Sequence, residues 1–397
     1  MVTVETTLKQ LNAYMRKPLT MSMLRDAMEK MGFDLDSDDP EALKLDVTAD
    51  RPDMISSAGV ARVLNAYLGF APYSKPSSKD SDYVVRVDKS VVPVRPFTAA
   101  FVVKNIRLTQ EKLDELIWIQ EKLHDTFARQ RKKAAIGIYP NAKIAWPITF
   151  TGEAPEKIVF PPLGSDIEFS GRTILETHPV GRKFAHLLKE LPIYPVFRDA
   201  KKKVLSMPPI INSNTVGNVT PHDTELFVEV SGHYWPTVSV LADILAHVFS
   251  DMKGDIYSVR VLFPNDQTKT TPECTMESIA VDVSLVNDTL GTAFTAEQIS
   301  TLLGRMLYST VKVNSLQLLL EYPQFRYDIL HPIDVVDDVA RAYGFDNLSP
   351  QRVEVATQGG ILPQTRLNED VRDAVVGMGF QEVMTWHLSS HAHHFDA

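Results

Sequence analysis

The sequence predicts a multidomain α+β protein, and three observations carry that expectation. Apolar residues alternate at period two in some stretches and recur at helical spacing in others. One residue pattern occurs twice, early and late in the chain, each time after a helix–strand pair. Between the two copies runs a long segment with several strands and few helices, as in α+β folds. A chain of 397 residues exceeds one domain of ordinary size. Its 44% hydrophobic and 23% charged content is globular rather than fibrous or disordered.

Residues 1–75 read as a small α/β module. Thr20 caps a helix whose apolar positions are Met23, Leu24, Ala27, Met28 and Met31. Leu43, Leu45 and Val47 then alternate as a strand with one buried face. Asp50-Arg51-Pro52-Asp53 breaks it, and a second helix runs from about Ser57 to Leu68. The polar, Pro/Ser-rich stretch from Tyr73 to Lys79 marks a domain boundary.

Residues 90–268 read as a mixed α+β domain. Ala100 to Ile106 is strand-like, and Leu113, Leu116, Ile117, Leu123 and Phe127 form one apolar helix face. Ala134 to Tyr139 is a short apolar run between turns. Val238, Leu241, Ala242, Ile244, Leu245 and Val248 mark another helix, and Ile256 to Phe263 a strand.

Residues 275–350 form a third unit, in which Thr295 and Gln298 make a capping box before Ile299, Leu302, Leu303 and Met306. Here Arg326-Tyr327-Asp328 and Val339 to Phe345 echo Arg51-Pro52-Asp53 and Val60 to Phe70, which points to two related modules. After a Gly-Gly-Ile-Leu-Pro turn, residues 360–397 offer a helix (Leu367, Val371, Ala374, Val375, Met378) and a strand from Glu382 to Trp386. Roughly 35 residues cannot bury a core of their own, so the chain is expected to break off at the start of a fourth domain.

Charge and cysteine content exclude several classes. A net charge of −9, from 41 basic and 50 acidic side chains, rules out a basic sheath for non-specific nucleic-acid binding but permits a local basic stripe. The single cysteine, Cys274, excludes a disulfide framework and a cysteine-cluster zinc site. No apolar run approaches the ~20 residues of a membrane span, and MVTVETTLKQL lacks the apolar core of a secretory signal. A soluble, cytoplasmic protein is expected.

Three constellations can carry chemistry. Asp328, Asp334, Asp337 and Asp338 crowd the start of a helix opened by His331-Pro332. Asp334 would face Asp337 and Asp338, and oxygen ligands alone suit a hard cation such as Mg²⁺ or Ca²⁺. The other reading is first-turn acids answering the helix dipole. Ser206 to Asn214 is a stiff, proline-bearing segment ending in Asn212, Ser213 and Asn214, which suit a small polar ligand or simply form a loop. Arg129-Gln130-Arg131-Lys132-Lys133 is either a solvated helix end or a phosphate contact. His124, His178 and His186 lack metal-ligand spacing and read as structural. No P-loop, dinucleotide fingerprint, nucleophile elbow or HExxH pair occurs, so nothing here would cradle a triphosphate.

Several ordered stretches together resemble the β subunit of phenylalanyl-tRNA synthetase in its archaeal/eukaryotic form. They are Val47 to Asp53, Leu116 to His124, Ala134 to Ile138, His178 to Gly181, Ser206 to Ser213 and Phe325 to Phe345. The tRNA-binding insertion of the bacterial first module is absent, since residues 43–70 run straight through. The resemblance implies an α2β2 ligase joining phenylalanine to tRNA-Phe with ATP, the synthetic site lying in the α subunit. It makes 90–268 an editing domain that hydrolyses tyrosyl-tRNA, with Leu205, Asn212, Ser213 and Glu229 at its pocket. Polar groups there would recognise a hydroxyl that phenylalanine lacks. Archaeal members follow Val-Ser-Gly with Thr-Asp, where this chain has His233-Tyr234. The resemblance gives 275–350 a helix-turn-helix-like core with Mg²⁺ at Asp328, Asp334, Asp337 and Asp338. It makes 360–397 the beginning of a catalytic-like domain. A free-standing editing hydrolase and a non-catalytic relative remain the alternatives.

Overall fold

The structure, a computed structural model, describes residues 2–350 and 356–395, and its contacts divide into two units, 1–349 and 350–397. The α+β character expected from the pattern holds in the first unit, which contains four sheets with helices packed on them.

Its N-terminal sheet has Val2–Thr6 at one edge, Leu43–Val47 in the centre and Asp34–Ser37 at the other edge, all antiparallel. Leu43, Leu45 and Val47 are fully buried, as the alternation requires. Helices Leu8–Tyr14 and Met21–Met31 connect the outer strands, and Thr7 and Thr20 accept the N–H groups of Gln10 and Met23 as caps. After Arg51-Pro52-Asp53 comes the helix Ser57–Tyr67, almost wholly buried. Gly59 is obligatory there, because a Cβ would lie 2.0 Å from the Asp53 carbonyl oxygen.

The same architecture returns late in the chain. Met276–Asp282 and Ser309–Val313 flank a central Gln317–Pro323, with helices Val283–Leu290 and Ala296–Gly304 between the outer strands. Arg326-Tyr327-Asp328 then leads into the helix Pro332–Tyr343. Thr295 and Gln298 form the capping box, and Pro332 opens the last helix. The arginine–aspartate motif has one job in both copies: Arg51 grips Asp53 through two bonds of 2.9 Å, and Arg326 grips Asp328 at 2.6–3.1 Å. The modules also touch. Arg341 Nη1 donates to the Met31 carbonyl, Tyr67 donates to the Arg341 carbonyl at 3.2 Å, and Arg305 bridges the Tyr67 and Ala342 carbonyls at 2.8 and 2.6 Å. One apolar core runs through both modules and the helix Trp235–Asp251.

Between the modules lies an eleven-stranded mixed sheet. At one end the order is Asp255–Leu262, Phe97–Lys104, Leu226–Gly232 and, at the edge, Ala134–Pro140. The last three of these are buried on both faces and so read as continuous apolar runs rather than alternations. Ala99, Phe101 and Val103 face the core shared with Trp235–Asp251, while Ala100 and Val102 face a second core with Phe150, Phe197 and Phe227. The stretch expected as a linker ends inside the sheet, Ser78–Lys79 pairing in parallel with Ile256 and Tyr257.

In the unit 350–397 the expected helix forms as Pro363–Gly377, followed by His391–Phe395. Glu382 to Trp386 takes no strand conformation. A strand needs a ladder partner for its backbone N–H and C=O groups, and none pairs with this stretch among the described residues.

Candidate functional site

A cavity of about 310 Å³ opens beside the edge strand Ala134–Pro140. That strand has one neighbour, so its outer N–H and C=O groups need other partners. Side chains supply them. His124 Nε2 accepts the Ile136 N–H at 2.8 Å, Gln120 donates to the Ile136 carbonyl at 2.9 Å, and Asn212 donates to the Ile138 carbonyl at 3.4 Å. His124 and Gln120 come from the helix Gln110–Asp125, capped by Thr109. Asn212 comes from the strand after the Pro208-Pro209 turn. The cavity is the space these three elements leave.

Ser206 and Glu229 give its wall a polar patch. Tyr139 Oη lies 2.7 Å from Ser206 Oγ and 3.0 Å from Glu229 Oε1. Gly137, paired with Glu229 across the ladder, makes room for both. A Cβ there would sit 2.2 Å from the Tyr139 oxygen and 2.5 Å from Glu229 Oε1. Burial pushes the Glu229 carboxyl up to about 8, against the opposing pull of the Tyr139 hydrogen bond and the buried Arg95 guanidinium. At neutral pH Glu229 is therefore mostly a protonated acid, able to donate and accept.

Among the described residues, three buried polar atoms of cavity-lining residues have no hydrogen-bond partner: Glu229 Oε2, His124 Nδ1 and Arg131 Nε. Burial holds His124 below its usual pKa, so the ring is neutral. Because Nε2 accepts a backbone N–H, hydrogen bonding assigns the proton to Nδ1. That atom is 3.5 Å from Glu121 Oε1, an electrostatic contact only. Arg131 bonds Glu121 at 2.8 Å and the Pro209 and Ile210 carbonyls at 3.2 and 2.9 Å, which leaves its Nε–H free. Orphaned donors and acceptors around one cavity are what a polar ligand would satisfy.

Of the four pocket residues expected from sequence, Asn212 and Glu229 line this cavity. Leu205 and Ser213 do not. Leu205 is fully buried in the second core, and Ser213 caps the short helix Asn214–Gly217 by accepting the Thr215 N–H. Strand alternation makes the difference, since Ser206, not Leu205, faces the cavity. His233 and Tyr234 also lie outside the lining. Tyr139, Gln120 and Glu121 escape sequence reasoning, and Arg131 and His124 are expected there only as a helix end or phosphate contact and as a structural ring, although a glycine inside the apolar run 134–139 already signals a close approach.

The four aspartates take three separate roles. Asp334 Oδ2 accepts the Leu330 and His331 N–H groups at 2.8 and 2.7 Å, completing a capping box. Asp337 pairs with Arg341 at 2.6 Å, one turn on. Asp328 and Asp338 share Arg326 Nη2 at 2.6 Å each, and Tyr308 donates to Asp338 at 2.7 Å. Among the described residues, no group of three or more His, Cys, Asp or Glu side chains gathers as a metal site. These residues therefore do not fit the oxygen cage expected for Mg²⁺: Asp334 is spent on its own helix end, and the cation between Asp328 and Asp338 is a guanidinium.

Among the described residues, no helix is long and apolar enough to cross a membrane. A family model for the tRNA synthetase B5 domain matches residues 279–345, the second of the repeated modules. The chain is 37% identical over 369 residues to the phenylalanine–tRNA ligase β subunit of Pyrococcus furiosus, covering 92% of this chain and 64% of the relative. The β subunit of Thermococcus sibiricus is 36% identical over 87% of this chain and 62% of its own length. That of Methanocella arvoryzae is 32% identical over 93% and 67%. The chain thus spans 62–67% of the length of these relatives. An N-terminal fragment of the phenylalanyl-tRNA synthetase β subunit from Pyrococcus horikoshii superposes with a TM-score of 0.82 at 31% identity, over 86% of this chain and 99% of that one.

Proposed function

The chain belongs to the phenylalanine–tRNA ligase β-subunit family, and from that membership we propose that it serves as the β subunit of an α2β2 ligase in the cytoplasm. Its α partner performs the ATP-dependent charging of tRNA-Phe, and this chain hydrolyses mischarged tyrosyl-tRNA. The absence of any triphosphate-cradling motif supports an adenylating site on the partner. Mg²⁺ enters this reading with ATP on that partner, since Mg²⁺ typically binds through substrate phosphates and a few carboxylates.

One observation carries the editing half: the buried Glu229, whose Oε2 has no hydrogen-bond partner among the described residues, in the wall of an otherwise largely apolar cavity. A tyrosyl ring fits the apolar walls, and its hydroxyl pairs with the carboxyl. A phenylalanyl ring would leave that carboxyl unpaired. His124 Nδ1–H and Arg131 Nε–H are donors suited to the ester carbonyl, which gains negative charge as water adds. His124 is not the base in this reading, because its lone-pair nitrogen is held by Ile136.

Co-expression with an α subunit tests the assembly. The expected result is one complex containing two copies of each chain, with this chain alone giving no phenylalanine-dependent exchange of pyrophosphate into ATP. Exchange by the isolated chain would refute the division of labour.

A further inference from the structure

Arg129, Gln130 and Arg131 are three successive residues in the left-handed region, with φ of 49°, 54° and 65°. Side chains with a Cβ adopt it reluctantly, so the surroundings must hold them there. Backbone bonds do: the N–H groups of Arg129, Gln130 and Arg131 reach back to the Thr126, Asp125 and His124 carbonyls, and Lys133 N–H reaches Ala128. The Lys133 carbonyl accepts the His233 N–H at the start of the long helix. Strained turns over-determined in this way concentrate at functional sites.

The turn also meets the cavity, through Arg131. Arg131 lines the cavity, and its guanidinium lies 4.2 Å from the centre of the Phe184 ring. Phe184 ends the helix Pro179–Phe184, whose Val180 lines the same cavity and whose Arg182 and Lys183 are exposed. Arg131 spends its charge on Glu121. The exposed Arg129, Lys132, Lys133, Arg182 and Lys183 form no ion pair among the described residues. A chain of net charge −9 thus gathers five uncompensated cations on two elements joined through one arginine–phenylalanine stack.

We propose that Arg129, Lys132, Lys133, Arg182 and Lys183 form a phosphate track along which the single-stranded 3′ end of an aminoacylated RNA lies while its terminal ester enters the cavity. The proposal rests on the editing reading and adds the substrate's path. Single-stranded RNA fits better than an acidic protein segment. The track flanks a cavity whose orphaned donors suit an ester, and evenly charged phosphates need no particular side-chain sequence.

The test compares the full chain with an R129A/K132A/K133A variant, which leaves Arg131 and the cavity wall intact. Binding of tRNA is followed between about 50 and 200 mM salt. Release of tyrosine from tyrosyl-tRNA is measured alongside. Losing three phosphate contacts should make the slope of log affinity against log salt shallower by about 2. KM for tyrosyl-tRNA should rise about tenfold or more while kcat holds, because the track binds without touching the reacting atoms. R182A/K183A should repeat the effect with a slope change of about 1. A wild type that binds and deacylates, with both variants sharing its slope and KM, overturns the track and leaves editing standing. A wild type that does neither refutes the editing reading itself.

Discussion

Arg326→Ala is expected to destabilise the unit 1–349 by about 3–5 kcal/mol, the usual cost of removing one partner from a buried ion cluster. Its side chain is 1% exposed and Asp338 is 6% exposed, so water cannot take the arginine's place. Burial opposes the Arg326 charge, but the Asp338 and Asp328 carboxylates more than offset it and hold the group firmly protonated. Without it Asp328 and Asp338 lose the guanidinium they share, and the Met306 carbonyl loses its 2.7 Å donor. Urea unfolding measures the loss. The loss should be the same in Mg²⁺ and in EDTA, and Asp338→Asn should likewise lose stability equally in both. Recovery of Arg326→Ala by Mg²⁺, or a cost below about 1 kcal/mol, would mean that a metal rather than the guanidinium holds these carboxylates.

Glu229 should contribute stability that falls as pH rises from about 4.5 to 8. Its proton affinity in the folded chain, with a pKa of about 8, exceeds the ordinary value of 4.5. Across that window the native state holds a proton that the unfolded state has released. Its contribution is fully present below pH 4.5 and is lost as pH climbs through 8. At about 1.4 kcal/mol per pH unit the change amounts to a few kcal/mol. Glu229→Gln, a neutral mimic of the protonated acid, should flatten this dependence in urea midpoints taken at pH 5 and 8. Wild-type and Glu229→Gln curves of equal slope across the window would show that the carboxyl is ionised when folded.

Local structure was legible where one segment decides it. The caps at Thr20 and Thr295 and the helix opened by Pro332 follow from nearby residues alone. So does the repeat, because Arg51-Pro52-Asp53 and Arg326-Tyr327-Asp328 follow the same order of strands and helices. What stayed hidden depends on partners far along the chain. Three aspartates at helical spacing, with Asp328 just before the helix, resemble a cage until Arg326 and Tyr308 claim Asp338. The cavity's phase depends on register: with Ser206 opposite Asn212, a one-residue slip would have turned Leu205 inward instead. His124 reads as structural from its isolation, and one nitrogen is indeed structural. Only the fold brings its other nitrogen to the cavity, beside Glu121 and Arg131.

The most direct measurement is the rate at which the chain frees the amino acid from tyrosyl-tRNA and from phenylalanyl-tRNA under identical conditions. A cavity that reads the tyrosyl hydroxyl through Glu229 should release tyrosine faster by roughly a hundredfold or more. Equal rates, or no release from either, would contradict the assignment of this cavity to hydroxyl-selective hydrolysis.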